Sequence, residues 1–453
     1  MKQINRHGIV AANIFYDNSY KYFYIEALED GLQAKLSINE CEYSLDGKVW
    51  INLSSATNTT AVNTGEKIYF RGNLTPTSSN GIGTFTISKK CNLKGNIMSL
   101  LYGDDFINKN DLSGKPYAFY RLFYNCKIVD ASELLLSPTI LSESCYRDMF
   151  QGCAFLTKAP YLPATTLTNY CYNWMFYGCT SLMEVPELPA TTLASNCYNS
   201  MFYNCTNLVI APQILAQELK EECCSEMFKG CTSLIEAPEL LADTLYDYCY
   251  YSMFEGCTSL IKSPKLNAKT LANYCYQNMF KGCTSLTEAP ELLADTLSDY
   301  CYHSMFAGCT SLTESPELLA TNLARYCYYY MFRGCTSLTK APSILPATTL
   351  TNYCYAYMFE LCNSLKTSPE MLCLTLSPRC CQYMFRNCTN LNKITMLATD
   401  ISATACLTNW VQGVASSGTF VKHPDMTTLP RGNNGIPNGW TVEEIKNYDY
   451  RQE

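Results

Sequence analysis

The sequence has little of what most enzymes and metalloproteins need. Only three of its 453 residues are histidine (His7, His303 and His423), and 16% are charged. None of the histidines lies in a motif, and no GxSxG, P-loop or HExxH sequence occurs. The acidic residues are spread along the chain rather than paired. We therefore expect a protein that is not an enzyme and that needs no metal and no other cofactor.

The sequence also lacks basic blocks and long apolar runs. A net charge of −7 without a basic block argues against a nucleic-acid partner. No apolar run approaches the ~20 residues that span a bilayer, so we expect no membrane insertion. The apolar stretch near the N-terminus is broken by Asn13, Asp17 and Asn18, and no small-residue cleavage site follows it. We therefore expect no secretory signal peptide, and folding in a reducing cytosol.

What the sequence does contain is a repeat rich in cysteine (27 residues) and tyrosine (35 residues). A Met-Phe pair recurs every 26 residues, with a single step of 27, at Met149, Met175, Met201, Met227, Met253, Met279, Met305, Met331, Met358 and Met384. Diverged units precede it at Leu122 and follow it at Cys406. A period of this length predicts a solenoid, here of about twelve units with atypical units at both ends.

The first half of each unit predicts an amphipathic helix. In LASNCYNSMFYNC (193–205) the apolar residues recur at steps of three and four, and Thr192 precedes them as a candidate N-cap. The third residue after Met is Gly or Asn in nearly every unit, which predicts a left-handed conformation at the helix end. Leu361 stands in this position in one unit and predicts a different ending there.

The second half of each unit predicts a short parallel strand. In CTSLTEAP (283–290), Leu286 and Ala289 are expected to point inward, and Pro290 to end the strand near Ala289 because it cannot donate to the ladder. Strand, turn, helix and turn together predict an α/β solenoid of the leucine-rich-repeat class, preceded by a small β-sandwich domain.

The chain divides into three predicted domains. Residues 1–100 contain short alternating runs such as YFYIEAL and EKIYFRGN, separated by Asp-Gly and Asn-Gly turns, which predict the β-sandwich. This domain could be a cap on the array or an attachment module. Residues 101–407 form the predicted solenoid. Residues 408–453 form a predicted C-terminal cap with one strand at residues 418–422.

Two cysteine columns run through the array, represented by Cys275 and Cys283. They could be metal ligands, disulfides, or small buried hydrophobic residues. Eight residues along a helix separate the two cysteines of one unit, too far for one disulfide. Paired zinc ligands such as Cys-x-x-Cys do not recur. We interpret the columns as buried core, with adventitious bridges inside a column left open.

The pattern CYxxMFxGCTSLxxAPxL resembles the BspA-like leucine-rich repeats, in which MFxxCxxL units recur at about this length. The resemblance covers residues 122–407, with Cys-Tyr and Ala-Pro columns as departures. Repeats of this kind occur in surface and adhesion proteins of gut anaerobes and in proteins of their phages. YSLDGKVWINL and GNIMSLLYGDDF look like the segments that precede such repeats in Bacteroides-group and phage proteins. The resemblance therefore implies that this protein has an adhesion function.

The columns that vary between units predict the binding surface. They lie just before Met and two residues after it, and their tyrosine and tryptophan side chains suit sugars or pockets of a protein partner. Free drift on a solvated face is the alternative. We expect Trp174 and Tyr177 to touch, and Tyr203 to lie roughly 5 Å from Tyr177. The candidate ligand-binding residues are Trp174, Tyr177, Tyr203, Tyr329, Tyr330 and Tyr357.

Two functions remain open at this level. The first is an adhesin that recognises a host-surface glycan or protein. It would be a phage virion protein made in the host cytoplasm, such as a tail or capsid fibre or decoration, or a component of the bacterial cell surface. Its N-terminal domain would contact other virion proteins. The second is a structural spacer or decoration with no ligand of its own. A contiguous aromatic patch in the variable columns would favour the first.

Overall fold

The computed structural model describes residues 21–37 and 41–445. His7 and most of the segment in which no signal peptide is expected lie outside them. The chain divides into two compact units, each made of two stretches of sequence. Unit 1 is Met1–Ala216 with Glu226–Leu234, and unit 2 is Gln217–Ser225 with Ile235–Glu453. The division falls inside the repeat array.

Unit 1 begins with the predicted N-terminal sheet region. A six-stranded sheet has the order β4-β3-β5-β1-β7-β8, and β2 pairs with β6 in a separate two-stranded sheet. The strands are β1 (Phe23–Ala27), β2 (Ala34–Leu36), β3 (Cys41–Ser44), β4 (Ile51–Leu53), β5 (Lys67–Arg71), β6 (Phe85–Ile87), β7 (Cys91–Asn96) and β8 (Ile128–Leu135). All pairings are antiparallel except that of β7 with β8. The sequence alternation therefore predicted a sheet region here correctly, and the finer prediction of a β-sandwich stays a prediction.

The N-terminal sheet continues directly into the first coil of the array. Strand β8 follows the first unit's cysteine, Cys126, and pairs in parallel with β7. On the buried side, the Phe123 ring of the first coil stacks on Phe85 of the sheet at 5.7 Å and on Phe150 of the next coil at 5.5 Å. The sheet therefore packs against the buried rings of the first coil, and the choice between a cap and an attachment module stays a prediction.

The helix predicted in each unit is wrong. Among the described residues the helices are α1 (Ser99–Tyr102) and a 3-10 helix (Gly103–Phe106), and both precede the repeats. Where the sequence predicted a helix, each coil has overlapping β-turns. In the coil of Met305, the N–H of Met305 donates to the Tyr302 carbonyl at 3.2 Å, and the N–H of Cys309 donates to the Phe306 carbonyl at 3.0 Å. The α/β class is therefore not confirmed, although the solenoid-like stacking of repeats is.

The alternate amides of these turns join one coil to the next. The N–H of Ser304 donates to the Tyr329 carbonyl at 2.8 Å, and that of Phe306 donates to the Met331 carbonyl at 2.9 Å. In a helix these N–H groups would donate to carbonyls of the same coil, and they would form no hydrogen bonds between coils. The turns thus provide hydrogen-bond partners for the buried backbone N–H and C=O groups, and they add hydrogen bonds between neighbouring coils.

The turns place every fourth residue at positive φ. In one coil these residues are Tyr300 (φ 59°), Ser304 (54°) and Gly308 (76°). The glycine and asparagine positions predicted to be left-handed are therefore correct. The different ending predicted for Leu361 is wrong, because Leu361 adopts φ 64° and its N–H donates to the Arg386 carbonyl at 2.9 Å, as the glycines do. Thr192 is not an N-cap but bridges to Thr166.

The predicted strand of each unit is mostly shorter than expected. In the middle coils it is reduced to isolated parallel bridges such as Lys262 to Glu288, two residues before Pro290. Leu286 is fully buried, as predicted, whereas Ala289 is only half-buried. Unit 2 ends in a five-stranded parallel sheet of order β13-β12-β11-β10-β9. Its strands are β9 (Ile344–Leu345), β10 (Thr367–Met371), β11 (Lys393–Met396), β12 (Thr419–Lys422), which is the predicted strand, and β13 (Thr441–Glu444).

Columns of identical residues fill the interior of both units. In unit 2 the Phe306 ring stacks on Phe332 at 5.5 Å, and the Tyr302 ring stacks on Tyr328 at 5.8 Å. All 27 cysteines are buried. The interpretation of the cysteine columns as buried core is therefore confirmed by their burial.

Candidate functional site

The predicted binding residues all lie on the overlapping turns. We call this part of each coil the turn segment; it runs from five residues before Met to four residues after it, residues 300–309 in the coil of Met305. Its cysteine, methionine and phenylalanine side chains are buried, and the residues between them are mostly half-buried or exposed. All six candidates are half-buried. The turns thus present pairs of variable residues outward at a four-residue interval.

In unit 1 the turn segments bring three candidates together. The Trp174 and Tyr177 rings are 6.0 Å apart and tilted, and the Tyr177 and Tyr203 rings stack at 4.6 Å with 12° between their planes. Both contacts were expected from the sequence. We call these three residues the Trp174 cluster.

Cations flank the Trp174 cluster on both sides. The guanidinium of Arg147 lies 5.7 Å from the Trp174 ring, and the ammonium of Lys229 lies 5.6 Å from the Tyr203 ring. These are cation–π distances. Because the rings of Tyr177 and Tyr203 cover each other's faces, the cluster offers a ligand ring edges and hydroxyl groups more than open ring faces.

In unit 2 the other three candidates also meet. The ring of Tyr330 lies 4.3 Å from that of Tyr329 and 4.6 Å from that of Tyr357, and Tyr357 stacks on Tyr383 at 4.7 Å. We call these four residues the Tyr330 cluster. Trp174, Tyr330 and Tyr357 all adopt positive φ, of 57°, 59° and 58°. The positive φ of the turns therefore sets the direction in which these side chains leave the backbone.

A buried glutamate fixes two arginines over the Tyr330 cluster. The Glu360 side chain is 1% exposed and accepts from Nε of Arg333 at 2.6 Å and from Arg386 on its other oxygen. The Arg333 guanidinium lies 5.2 Å from the Tyr330 ring, and that of Arg386 lies 4.5 Å from the Tyr383 ring. Sequence analysis missed Glu360, because an acid two residues after Met has no distinguishing spacing.

A row of tyrosines in unit 2 was also missed. Each ring stacks on the next with centroids 4.5 to 4.8 Å apart, and each is half-buried. We call it the tyrosine row: Tyr248, Tyr274, Tyr300, Tyr326 and Tyr353. The sequence prediction used columns that vary, and this one is constant over five consecutive coils. A tyrosine that recurs directly before the first cysteine of those five coils was the available signal.

Tyr329, Tyr357 and the nearby His303 are neutral at physiological pH. Burial, with the neighbouring Tyr330, raises the pKa of Tyr357 to about 12, and burial also raises the pKa of Tyr329. Burial lowers the pKa of His303 to about 4, and its ring stacks on Tyr329 at 5.1 Å. The tyrosine hydroxyls therefore act as hydrogen-bond donors and acceptors, and the arginines carry the charge.

The bridge positions form a second surface with a different chemistry. Acidic and basic residues of neighbouring coils pair along it, as in Lys158 with Glu184 and Lys340 with Glu314, each pair 3.1 Å apart. Such pairing places opposite charges side by side on neighbouring coils. Met183 (58% exposed) lies beside a bridge position and Ile210 (60% exposed) occupies one, and both are apolar. This surface provides a matched comparison for the turn segments.

Residues 21–37 and 41–445 show two further absences. They contain no group of three or more His, Cys, Asp or Glu side chains arranged to hold a metal ion. No helix there has the length and apolar character to cross a membrane.

Stacked coils with an aromatic surface define a repeat protein of the solenoid class. Comparison with protein families matches six copies of the BspA type leucine rich repeat region, over residues 143–287, 221–339, 249–366 and 294–403. The chain belongs to this family. Proteins with such repeats often serve in adhesion and protein binding. Comparisons with curated proteins and with solved structures found no match.

Proposed function

We propose that the chain is a non-enzymatic adhesin of a phage virion that recognises a glycan or protein on the host surface through its turn segments. The observation that carries the proposal is the grouping of variable aromatic residues. The Trp174 cluster and the Tyr330 cluster each form a contiguous patch on a scaffold of constant buried columns. A spacer without a ligand does not need such patches. Half-buried aromatic rings contribute binding free energy when a partner covers them and removes their remaining contact with water.

The buried thiols support assembly in a reducing cytosol. All 27 cysteines are buried, and burial raises the pKa of Cys309 well above its usual value, so thiolate formation is suppressed. During folding, however, the same thiols are exposed and would pair in an oxidising compartment. A virion protein folds in the host cytosol and leaves by lysis, whereas a secreted adhesin folds outside it. The cell surface remains the second location.

Binding to whole cells tests the adhesin against the spacer. Purified full-length chain carrying a fluorophore is incubated with a panel of Bacteroides-group strains, and phage particles from cultures of those strains are stained with gold-labelled antibody to the chain. If the chain is a virion adhesin, the labelled chain should bind at least one strain saturably, unlabelled chain should block that binding, and gold should appear on virions. Gold on virions without binding to cells would support the structural spacer function instead. Gold on uninfected cells alone would place the protein on the bacterial surface.

A further inference from the structure

The side chains around Glu360 form a positively charged surface of fixed geometry. One carboxylate neutralises the two guanidinium groups of Arg333 and Arg386, which leaves one net positive charge. Arg379 adds another, since its Nη1 donates to the Tyr353 hydroxyl, not to a carboxylate, at 2.7 Å, and its guanidinium lies 5.5 Å from that ring. This local excess of positive charge stands in a chain of net charge −7.

The arginines are held in place before any ligand arrives. Arg333 and Arg386 are each held by the buried carboxylate and by a tyrosine ring, and Arg333 remains 47% exposed. Arg333 uses Nε for Glu360, and a guanidinium has further N–H donors on its outer edge. A ligand that binds these donors loses little additional side-chain entropy. Planar donors of this kind match the oxygens of carboxylate and sulfate groups.

The tyrosine row joins this charged surface. Tyr353 accepts the hydrogen bond from Arg379 and stacks on Tyr326 at 4.6 Å, while Tyr326 contacts Tyr329 of the Tyr330 cluster at 5.3 Å. Inner rings of the row have a neighbour on each face, so hydroxyls and ring edges are what a ligand meets. The result is a regular line of hydroxyl groups that leads to a group of arginines.

We infer that this surface of unit 2 binds an acidic polysaccharide. Carboxylate or sulfate groups pair with Arg333, Arg379 and Arg386, and the sugar hydroxyls exchange hydrogen bonds with the tyrosine row. A polysaccharide fits better than an acidic protein, because the stacked faces leave no open ring for the apolar anchor of a protein. The inference rests on the proposed function and specifies its ligand class.

Direct binding to defined polymers tests the inference. Isothermal calorimetry of the full chain is run with polygalacturonate (carboxylated), heparin (sulfated), dextran (neutral) and poly-glutamate (an acidic polypeptide). We expect binding to polygalacturonate or heparin, weakened by added salt, and much weaker binding to dextran and poly-glutamate. The preferred polymer identifies the anionic group. Equal or tighter binding of poly-glutamate would overturn the inference in favour of an acidic protein.

Two variants separate the arranged site from general charge attraction. Arg379→Gln should weaken binding about tenfold, since it removes a charged donor without leaving a buried acid unpaired. Lys340→Gln removes the same charge from the bridge surface of the same unit and should change affinity less than about twofold. Equal effects of the two variants would overturn the inference.

Glu360→Gln gives a second and opposite test. It makes the surface more positive but releases both arginines, so a preorganised site predicts weaker binding and simple charge attraction predicts tighter binding. Its melting temperature is measured alongside, and Arg379→Gln carries the test if this variant does not fold. Failure of every polymer to bind, with cell binding retained, would overturn the ligand class and leave the adhesin standing.

Discussion

The thiol of Cys309 donates a hydrogen bond to the carbonyl of Phe280, one coil earlier, at 3.1 Å. The same carbonyl accepts the N–H of Cys283 at 3.0 Å, so both of its lone pairs are used in a fully buried position. The bond recurs along the column, from Cys153, Cys179, Cys205, Cys231, Cys283, Cys335, Cys362 and Cys388. Cysteine is therefore a structural residue here, small enough for the core and able to donate.

Removing one of these thiols should lower stability. Cys309→Ala deletes the S–H donor and leaves a small void, which should cost about 1 kcal/mol of unfolding free energy. Urea denaturation of the variant and the parent, both in reductant, measures the difference. A variant as stable as the parent would show that the second bond to Phe280 contributes nothing.

The cysteines should be reduced and unreactive in the native protein. Burial keeps reagents away from all 27 thiols, and the thiolate is the reactive species. Titration with a chromogenic thiol reagent at neutral pH should label few cysteines in the native protein and most of them after denaturation. Intrachain disulfides detected by mass spectrometry of unreduced protein would contradict this prediction.

Stability should fall steeply at alkaline pH. Burial raises the pKa of Cys301 and of Cys335 to about 12. The unfolded chain loses these protons near pH ~8.5, so the thiols contribute their full stability below that pH and lose it as the pH rises toward the folded value. Each such thiol removes about 1.4 kcal/mol per pH unit in this window. Melting temperatures should therefore drop sharply above about pH 9, and a flat profile to about pH 10.5 would contradict the account.

The turn glycines should be replaceable only by residues that tolerate positive φ. At Gly282 (φ 75°) an added Cβ would lie 3.8 Å from the Gly256 Cα, so conformation and not space is the obstacle. Gly282→Val should cost ~1–2 kcal/mol. Gly282→Asn should cost less, because Asn204 and Asn387 already adopt this conformation in their coils. Equal melting temperatures for the two variants would show that φ does not set the cost.

The sequence predicted the repeat and its buried columns but not the local backbone. The buried residues Cys301, Met305 and Cys309 follow one another at intervals of four, whereas a helix turns every 3.6 residues and would drift by about 40° per step. A strict four-residue period therefore favoured overlapping turns. The glycine position at the end of the segment was interpreted correctly, but Ser304 and Tyr300, four and eight residues earlier, carry no comparable signal in their residue types. Their conformation depends on hydrogen bonds to the next coil, which are not local.

The candidate site could be predicted in part for a related reason. Contacts such as Tyr177 with Tyr203 follow from the repeat period alone, since equivalent residues of neighbouring coils stack. The charged partners do not follow from it. Glu360 and Arg386 belong to different coils, and their pairing depends on a column in which the residue type changes from coil to coil.

The measurement that tests the central claim most directly compares attachment by two surfaces of the same protein. One variant carries Tyr177→Ser, Tyr203→Ser and Trp174→Asn, the last chosen because asparagine tolerates the positive φ. Its control carries Met183→Ser, Ile210→Ser and Ile261→Ser, which remove exposed apolar side chains at or beside the bridge positions.

Both variants are first shown to melt within a few degrees of the parent, and their binding to host cells is then measured. The account predicts that the turn-segment variant loses about tenfold or more in affinity, since each ring contributes on the order of 1 kcal/mol, while the control binds as the parent does. Unchanged attachment of the turn-segment variant with loss in the control would contradict the account and assign recognition to the bridge surface.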